Sequence, residues 1–177
     1  MKAAVLVEAK KVLVQDVEDP SMTETRVLVR IRDCGICTLE QRLYRGDLEI
    51  FYPIIPGHEA SGEIVEIGPR VLGDFEVGMH VALDLITRCG QCYFCRTGRS
   101  NLCSNRFKPG QQVLGGFGEF IAVRGRQVHP TPENMTLREA AFVEPVACCI
   151  RSLKKLEVEL GENVLIVGAG PMGIMHL

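Results

Sequence analysis

Residues 56–68 read PGHEASGEIVEIG, a stretch that combines turn-forming residues, candidate metal ligands and a short strand. Proline and glycine open it, and His58 and Glu59 follow at once. From position 62 to position 67 the sequence is typical of a strand bounded by glycines. Histidine and glutamate are both residue types that bind zinc. The stretch therefore indicates a strand next to a possible metal site.

Four other segments up to about residue 128 also predict short strands, separated by glycine and proline. In the clearest of them Val27, Val29 and Ile31 share one face, whereas Arg30 and Arg32 share the other. Strands at this spacing predict a barrel or a sandwich, so the chain is expected to be mainly β. The four segments are residues 2–7, 26–32, 80–83 and 118–123.

Four of the eight cysteines form the pattern C-x2-C-x2-C-x7-C, in which four thiolates can close a tetrahedron around one zinc ion. A separate mixed set upstream combines Cys37 with His58 and Glu59. One closed site and one mixed site together indicate a structural and a catalytic zinc. The four-cysteine array consists of Cys89, Cys92, Cys95 and Cys103.

A disulfide framework is the alternative for the four-cysteine array. Residues 1–8 place Glu8 where the apolar region of a signal peptide would continue, and Lys10 and Lys11 follow. We therefore expect a cytoplasmic protein whose thiols stay reduced, which favours metal over disulfides. No apolar run is long enough to span a bilayer, so no membrane partner is expected.

The composition argues against nucleic acid as a partner. With 46% hydrophobic residues, 24% charged residues and a formal net charge of −2, the chain can bury a core but has no bulk attraction for polyphosphate. A zinc ribbon that binds nucleic acid remains the rival interpretation of the cysteine array. Aromatic residues make up only 6% of the chain, which offers few stacking platforms. The arginines near the array, interpreted as a solvated face, are Arg88, Arg96, Arg99 and Arg106.

Beyond residue 135 the periodicity becomes helical. Thr136 and Glu139 form a capping-box pattern that predicts a helix start. The helix is expected to break at Glu144-Pro145, because proline restricts the preceding residue, and a second helix is expected over 146–156.

An apolar strand is predicted over 163–167, followed directly by a glycine-rich loop and a helix start. In that context the loop amides could cradle a pyrophosphate at the helix N-terminus. The loop residues expected to bind such a cofactor are Gly168, Gly170, Pro171, Met172 and Gly173.

The CGIC sequence at 34–37, the 56–68 stretch, the four-cysteine array, Glu144-Pro145 and the glycine loop resemble, in this order, the zinc-dependent medium-chain alcohol dehydrogenases. The resemblance covers the whole chain. It implies a GroES-like β-barrel catalytic domain over 1–150, and over 151–177 the first strand and helix start of a Rossmann domain. Members of the family are about twice as long, so the resemblance also implies an N-terminal fragment.

Carried over to this sequence, the resemblance makes Cys37 and His58 ligands of a catalytic zinc. The third ligand is open between Glu59 and Glu144. Glu144-Pro145 resembles the polyol and threonine dehydrogenase branch, in which a carboxylate is a ligand, so Glu144 is favoured and Glu59 is the alternate. In the family a serine or threonine two positions after the ligand cysteine relays the proton, but here that position holds Leu39. Thr38 lies one residue early and is expected to point elsewhere. Water, Glu59 or a reoriented Thr38 would then have to carry the proton, or activity on ordinary alcohols is weakened.

The implied activity is the oxidation of a small alcohol or polyol with hydride transfer to NAD or NADP, by a homo-oligomer in the full-length form. The 177-residue chain itself is expected to be nearly inactive. The alternative function is a non-catalytic zinc-binding scaffold. Among the remaining residues, Cys34, Cys148 and Cys149 are expected in the core, and the other histidines are expected to be structural or solvated.

Overall fold

A computed structural model of the protein describes residues 1–106 and 115–177. The described chain is mainly β, as predicted, with one sheet of two strands and one antiparallel sheet of five. In chain order the strands are β1 (Lys2–Glu8), β2 (Lys11–Asp16), β3 (Arg26–Gly35), β4 (Glu59–Ile67), β5 (His80–Leu83), β6 (Phe120–Arg124) and β7 (Val128–Pro130). The larger sheet has the order β6-β3-β4-β5-β7.

In the described residues, five α-helical segments accompany the sheets. They are α1 (Thr38–Arg45), α2 (Tyr93–Arg96), α3 (Leu137–Ala140), α4 (Val143–Leu156) and α5 (Pro171–Met175). Within the described ranges, none of these helices has both the length and the apolar character needed to cross a membrane.

The core lies against the central pair of the larger sheet, β3 and β4. Val27 and Val29 of β3 and Ile64 of β4 are completely buried, and Arg30 points outward. This is the alternation predicted from the sequence, and it fixes the register, because a slip by one residue would expose the valines. The pairing also sets Gly35 opposite Glu59, so the end of β3 lies beside the start of β4, close to the predicted metal ligands Cys37 and His58.

The five strands predicted up to about residue 128 are confirmed, with small shifts at their ends. The largest shifts are equal: β3 continues to Gly35 rather than ending at residue 32, and β4 begins at Glu59 rather than at residue 62, so that His58 directly precedes it. Sequence reasoning missed β2, whose residues are all exposed and therefore show no apolar alternation. It also missed α1, which fills the connection between β3 and the 56–68 stretch.

The capping box is confirmed, but the predicted helix break is not where the proline stands. The Glu139 amide donates to Thr136 Oγ1 at 3.2 Å, and the Thr136 amide donates to the Glu139 carboxylate at 2.8 Å. The interruption lies between α3 and α4, and α4 includes both Glu144 and Pro145 in its first turn. Proline is tolerated there because first-turn amides have no partner within the helix.

The predicted strand over 163–167 is not formed. Leu165 and Val167 are 87% and 90% exposed, because no strand in the described part of the chain lies alongside to share hydrogen bonds and cover them. The helix start after the glycine loop is confirmed, with Gly170 as N-cap and Pro171 as the first residue of α5. The proposed domain boundary at residue 150 falls within α4 and stays a prediction.

Candidate metal centres

The sulfur atoms of Cys89, Cys92, Cys95 and Cys103 all lie within 4.8 Å of one another. The Sγ atoms of Cys89 and Cys95 are 3.9 Å apart, whereas a disulfide requires about 2.05 Å. All eight cysteines of the chain are free. The array is therefore a cluster of thiols, as the metal interpretation predicts, and not a disulfide framework.

Hydrogen-bond donors surround the sulfur atoms of this four-cysteine lobe. Cys89 Sγ accepts from the amides of Gln91 and Cys92 and from Asn105 Nδ2, at 3.3–3.5 Å, and these bonds lower the pKa of the thiol. Backbone amides likewise lower the pKa of Cys92 to about 6. Burial and the neighbouring sulfurs raise the pKa of Cys95 to about 12. Because four adjacent thiolates repel one another, a cation is needed to deprotonate them together, and this donor set fits zinc.

Arginines near the lobe bind groups of the lobe and its base. Arg99 stacks over the rings of Tyr93 and Phe94, and its Nη2 donates to Tyr93 Oη at 3.0 Å. Arg88 pairs with the carboxylate of Asp84. The Arg99 contacts stabilise the lobe internally, and the Arg88–Asp84 pair stabilises the segment that leads into it.

The mixed set forms a second group. One ligand atom each from Cys37, His58 and Glu59 lies within 4.8 Å of the others. Cys37 is the N-cap of α1, His58 precedes β4, and Glu59 is the first residue of β4. The antiparallel pairing of β3 and β4 brings together residues that are 21 or more positions apart in the sequence.

A buried carboxylate that sequence reasoning missed connects the parts of this second group. Glu40, 5% exposed, places Oε1 2.7 Å from His58 Nδ1 and accepts from the Gly57 amide at 3.2 Å. Its Oε2 accepts from the Cys37 amide at 2.9 Å. With Nδ1–H bonded to a carboxylate, His58 leaves Nε2 free for a metal. The clue in the sequence is the glutamate three residues after Cys37, the spacing of a capping box.

The pKa of His58 reflects this contact. Burial alone lowers the pKa of the imidazole, but the hydrogen bond and the negative charge of Glu40 outweigh that effect, and the carboxylates of Glu144 and Glu59 add to it. The net result is a raised pKa. A more basic imidazole is also a stronger metal ligand, so Glu40 supports the fit of a zinc ion to this group.

Glu144 lies beside the second group but outside the set of mutually close ligand atoms. Burial raises the pKa of the Glu144 carboxyl, the charge of His58 opposes the shift, and that of Glu59 adds to it. The structure thus groups Glu59, and not Glu144, with Cys37 and His58. Ligation by Glu144 stays a prediction.

Cys148 is not in the core as expected. It is exposed on α4, one turn after Glu144, and its Sγ donates to Glu144 Oε1 at 3.6 Å. Partial burial of the thiol and the nearby carboxylate raise the pKa of Cys148 to about 11. Cys149, in contrast, is 2% exposed and packs in the core as predicted.

Of the two residues after Cys37, Thr38 and not Leu39 lies beside the Cys37 thiol. Leu39 is partly buried against the apolar cluster that contains Leu6 and Leu43. Thr38 is exposed, and its Oγ1 lies 3.8 Å from Cys37 Sγ, because the residue begins a helix rather than continuing a strand. The expectation that Thr38 points away is therefore wrong, and its hydroxyl lies at the second group.

Gly35 leaves the space that the Glu59 carboxylate occupies. A Cβ atom at position 35 would lie 2.1 Å from Glu59 Oε2, well inside van der Waals contact. We expect Gly35→Ala to displace Glu59 and to weaken zinc binding at the second group about tenfold or more, measured by competition with a chelator. Gly170→Ala is the control, because nothing lies within 4 Å of its added Cβ. Unchanged affinity in Gly35→Ala would show that Glu59 does not bind the metal.

A family model described as the alcohol dehydrogenase GroES-like domain matches residues 23–133. A sorbitol dehydrogenase of Halalkalibacterium halodurans is 34% identical over 163 residues, covering 92% of this chain and 47% of that protein. D-arabinitol dehydrogenase 1 of Uromyces fabae is 35% identical over 156 residues, covering 88% of this chain and 44% of that protein. The chain thus spans about half the length of these relatives.

The fold is also similar to that of solved structures. A crystal structure from Sinorhizobium meliloti 1021, of a protein assigned as a zinc-binding dehydrogenase and bound to NADP, has a TM-score of 0.90 and 32% sequence identity. The match covers 99% of this chain and 51% of that chain. The match therefore includes the four-cysteine lobe, the second group and the glycine loop.

Proposed function

The chain belongs to the zinc-dependent alcohol dehydrogenase family and contains its GroES-like domain, and on that premise we propose that it carries the catalytic metal site of an enzyme that oxidises an alcohol or a polyol with NAD or NADP. The observation that carries the proposal is the grouping of Cys37, His58 and Glu59 around one point, separate from the four-cysteine lobe. The GroES-like domain predicted from the sequence is confirmed by the family match.

The residues of the second group would hold zinc through a thiolate, an imidazole and one carboxylate, supplied by Glu59 or Glu144. Three protein ligands leave one coordination position of a tetrahedral zinc open. A zinc ion held by this group would polarise a substrate hydroxyl in the open position and lower the pKa of that hydroxyl. The set differs in this respect from the lobe, where four sulfur atoms close the site. The lobe therefore has a structural role in this proposal.

Glu40 and Thr38 have distinct tasks at this site. Glu40 fixes the imidazole of His58 and the backbone of Cys37 in one arrangement, so that two ligands are oriented before the metal arrives. The Thr38 hydroxyl, exposed and 3.8 Å from Cys37 Sγ, is the group that we propose relays the proton of the substrate hydroxyl, accepting it while its own proton passes to solvent water. Leu39 is excluded from this role because its side chain carries no proton-transfer group and packs on the apolar cluster.

The glycine loop is the part of the described chain that fits a dinucleotide. A Cβ atom at Gly173 would lie 2.0 Å from the carbonyl oxygen of Gly168, so close packing of loop and helix requires glycine there. Backbone amides of a glycine loop at the start of a helix suit a pyrophosphate. Relatives of this chain are about twice as long, and we propose that the remaining cofactor contacts, and homo-oligomer formation, belong to the longer form. The 177-residue chain alone is then expected to show little turnover.

A substrate titration distinguishes the enzyme from the alternative, a zinc-binding scaffold. We expect sorbitol or D-arabinitol to shift the visible absorption of cobalt bound at the second group, because an open coordination position admits a hydroxyl. The experiment uses the chain with zinc retained in the lobe, and Cys37→Ser is the matched control. A spectrum that polyols, simple alcohols and threonine all leave unchanged would favour the scaffold.

A further inference from the structure

The face of α4 that carries Glu144 also carries a thiol one helical turn further on. Residues four positions apart lie on the same face of a helix, so Cys148 and Glu144 are neighbours by backbone geometry. Their side chains meet, with Cys148 Sγ 3.6 Å from Glu144 Oε1. Within α4 the adjacent Cys149 points the other way, into the core. The two consecutive cysteines therefore have different environments, and Cys148 is the one that contacts Glu144.

We propose that Cys148 is a positioning residue, whose S–H group holds Glu144 Oε1 and so directs the other carboxylate oxygen toward the Cys37–His58–Glu59 group. The inference rests on the proposed function, in which Glu144 is a zinc ligand or exchanges with Glu59 in that role. Cys148 itself does not touch metal or substrate in this proposal. It acts through Glu144 alone.

The surroundings of Glu144 explain why such a contact matters. The carboxylate is only half-buried, and it interacts favourably with the charge of His58 but unfavourably with those of Glu59 and Asp84. A glutamate side chain under these opposing interactions has several rotamers available. Each rotamer that points the carboxylate away from the metal reduces the population that can bind it. A donor fixed on the same helix face selects one rotamer and leaves one oxygen free. Outer contacts of this kind orient ligands in metal sites generally.

The geometry separates this role from two others. A residue that only filled space would be covered, but Cys148 is exposed. A fourth metal ligand would lie close to the other three, but Cys148 Sγ is not a member of the group whose ligand atoms lie within 4.8 Å of one another. A hydrogen bond to Glu144 is the contact that the structure assigns to this thiol.

The test measures cobalt and zinc affinity at the second group, with the lobe kept filled with zinc, in Cys148→Ala, Cys148→Ser, Glu144→Ala and the double variant Cys148→Ala/Glu144→Ala. We expect Cys148→Ala to weaken binding by about tenfold, the lower end of the usual effect of losing an outer contact. Cys148→Ser should keep wild-type affinity, because a hydroxyl also donates. The double variant should bind no more weakly than Glu144→Ala. Ile150→Ala, an exposed change on the same helix, is the control for folding and should bind like the wild type.

The outcomes that overturn the inference differ from those that overturn the proposed ligand role. Unchanged metal affinity in Cys148→Ala would show that Cys148 does not act through Glu144. The same conclusion would follow if Cys148→Ala weakened metal binding as much in the Glu144→Ala background as in the wild type. A drop in sulfur-to-cobalt charge-transfer absorption in Cys148→Ser would identify the thiol as a ligand and would also overturn the inference. If Glu144→Ala itself binds metal normally, the ligand role of Glu144 fails, and the inference fails with it.

Discussion

Replacement of Cys95 by serine is expected to release the metal from the four-cysteine lobe and to unfold the lobe while the barrel stays folded. The lobe contains only α2 and a short 3-10 turn over Ser100–Leu102, so it has little apolar core of its own. Zinc binding to small domains of this kind contributes about 10–16 kcal/mol near neutral pH, which is folding free energy for the segment that supplies the ligands. A hydroxyl in place of one thiolate removes a large share of it.

Elemental analysis and a thermal melt measure this result. The variant should contain about one zinc per chain less than the wild type, in keeping with the one-ion tetrahedral site. Cys34→Ser is the matched control, because Cys34 packs beside the core without belonging to either metal group. The control should lose stability but keep both metals. Unchanged zinc content in Cys95→Ser would contradict the structural site.

Glu40→Ala is expected to disable the second group without touching a ligand. The change leaves His58 Nδ1 and the amides of Gly57 and Cys37 without their acceptor. Each buried donor left unsatisfied costs about 1–3 kcal/mol, so the free energy of unfolding should fall by several kcal/mol. Metal affinity at the second group should fall by about 10–100-fold, because the imidazole is no longer oriented.

Urea unfolding and chelator competition test these two effects together. Glu24→Ala is the control, since it removes a carboxylate from an exposed ion pair with Arg70, where a loss of about 0–1 kcal/mol is expected. If Glu40→Ala binds metal as tightly as the wild type, Glu40 does not position His58. The lobe metal should be retained in both variants, because neither residue lies in the lobe.

The sequence predicted the β architecture and the ligand residue types because both depend on local patterns. The alternation around Val27 and Val29 fixes the central strand, and the cysteine spacing alone predicts the lobe. The grouping of Cys37 with His58 is a hypothesis from their residue types and from the family resemblance, because their proximity arises from the pairing of β3 with β4 and not from a local pattern.

Other features depend on contacts that no local pattern specifies. The role of Glu40 depends on a fold that buries its carboxylate against His58, which the local sequence does not specify. Cys148 is expected in the core because helical cysteines usually pack there. It meets Glu144 because α4 begins before the proline rather than after it, so that both residues lie on one face of the same helix. The apolar run over 163–167 has strand propensity, but strand formation needs a paired neighbour, and none lies beside it in the described residues.

Anomalous X-ray scattering at the zinc edge, from crystals of the zinc-loaded chain, tests the central claim most directly. The account predicts two separate peaks, one among the four sulfur atoms of the lobe and one between Cys37, His58 and Glu59, with the second removed first by mild chelation. The second peak should disappear in Cys37→Ser while the lobe peak stays. A single peak, confined to the lobe in wild-type crystals soaked with excess zinc, would contradict the assignment of a catalytic metal site to this chain.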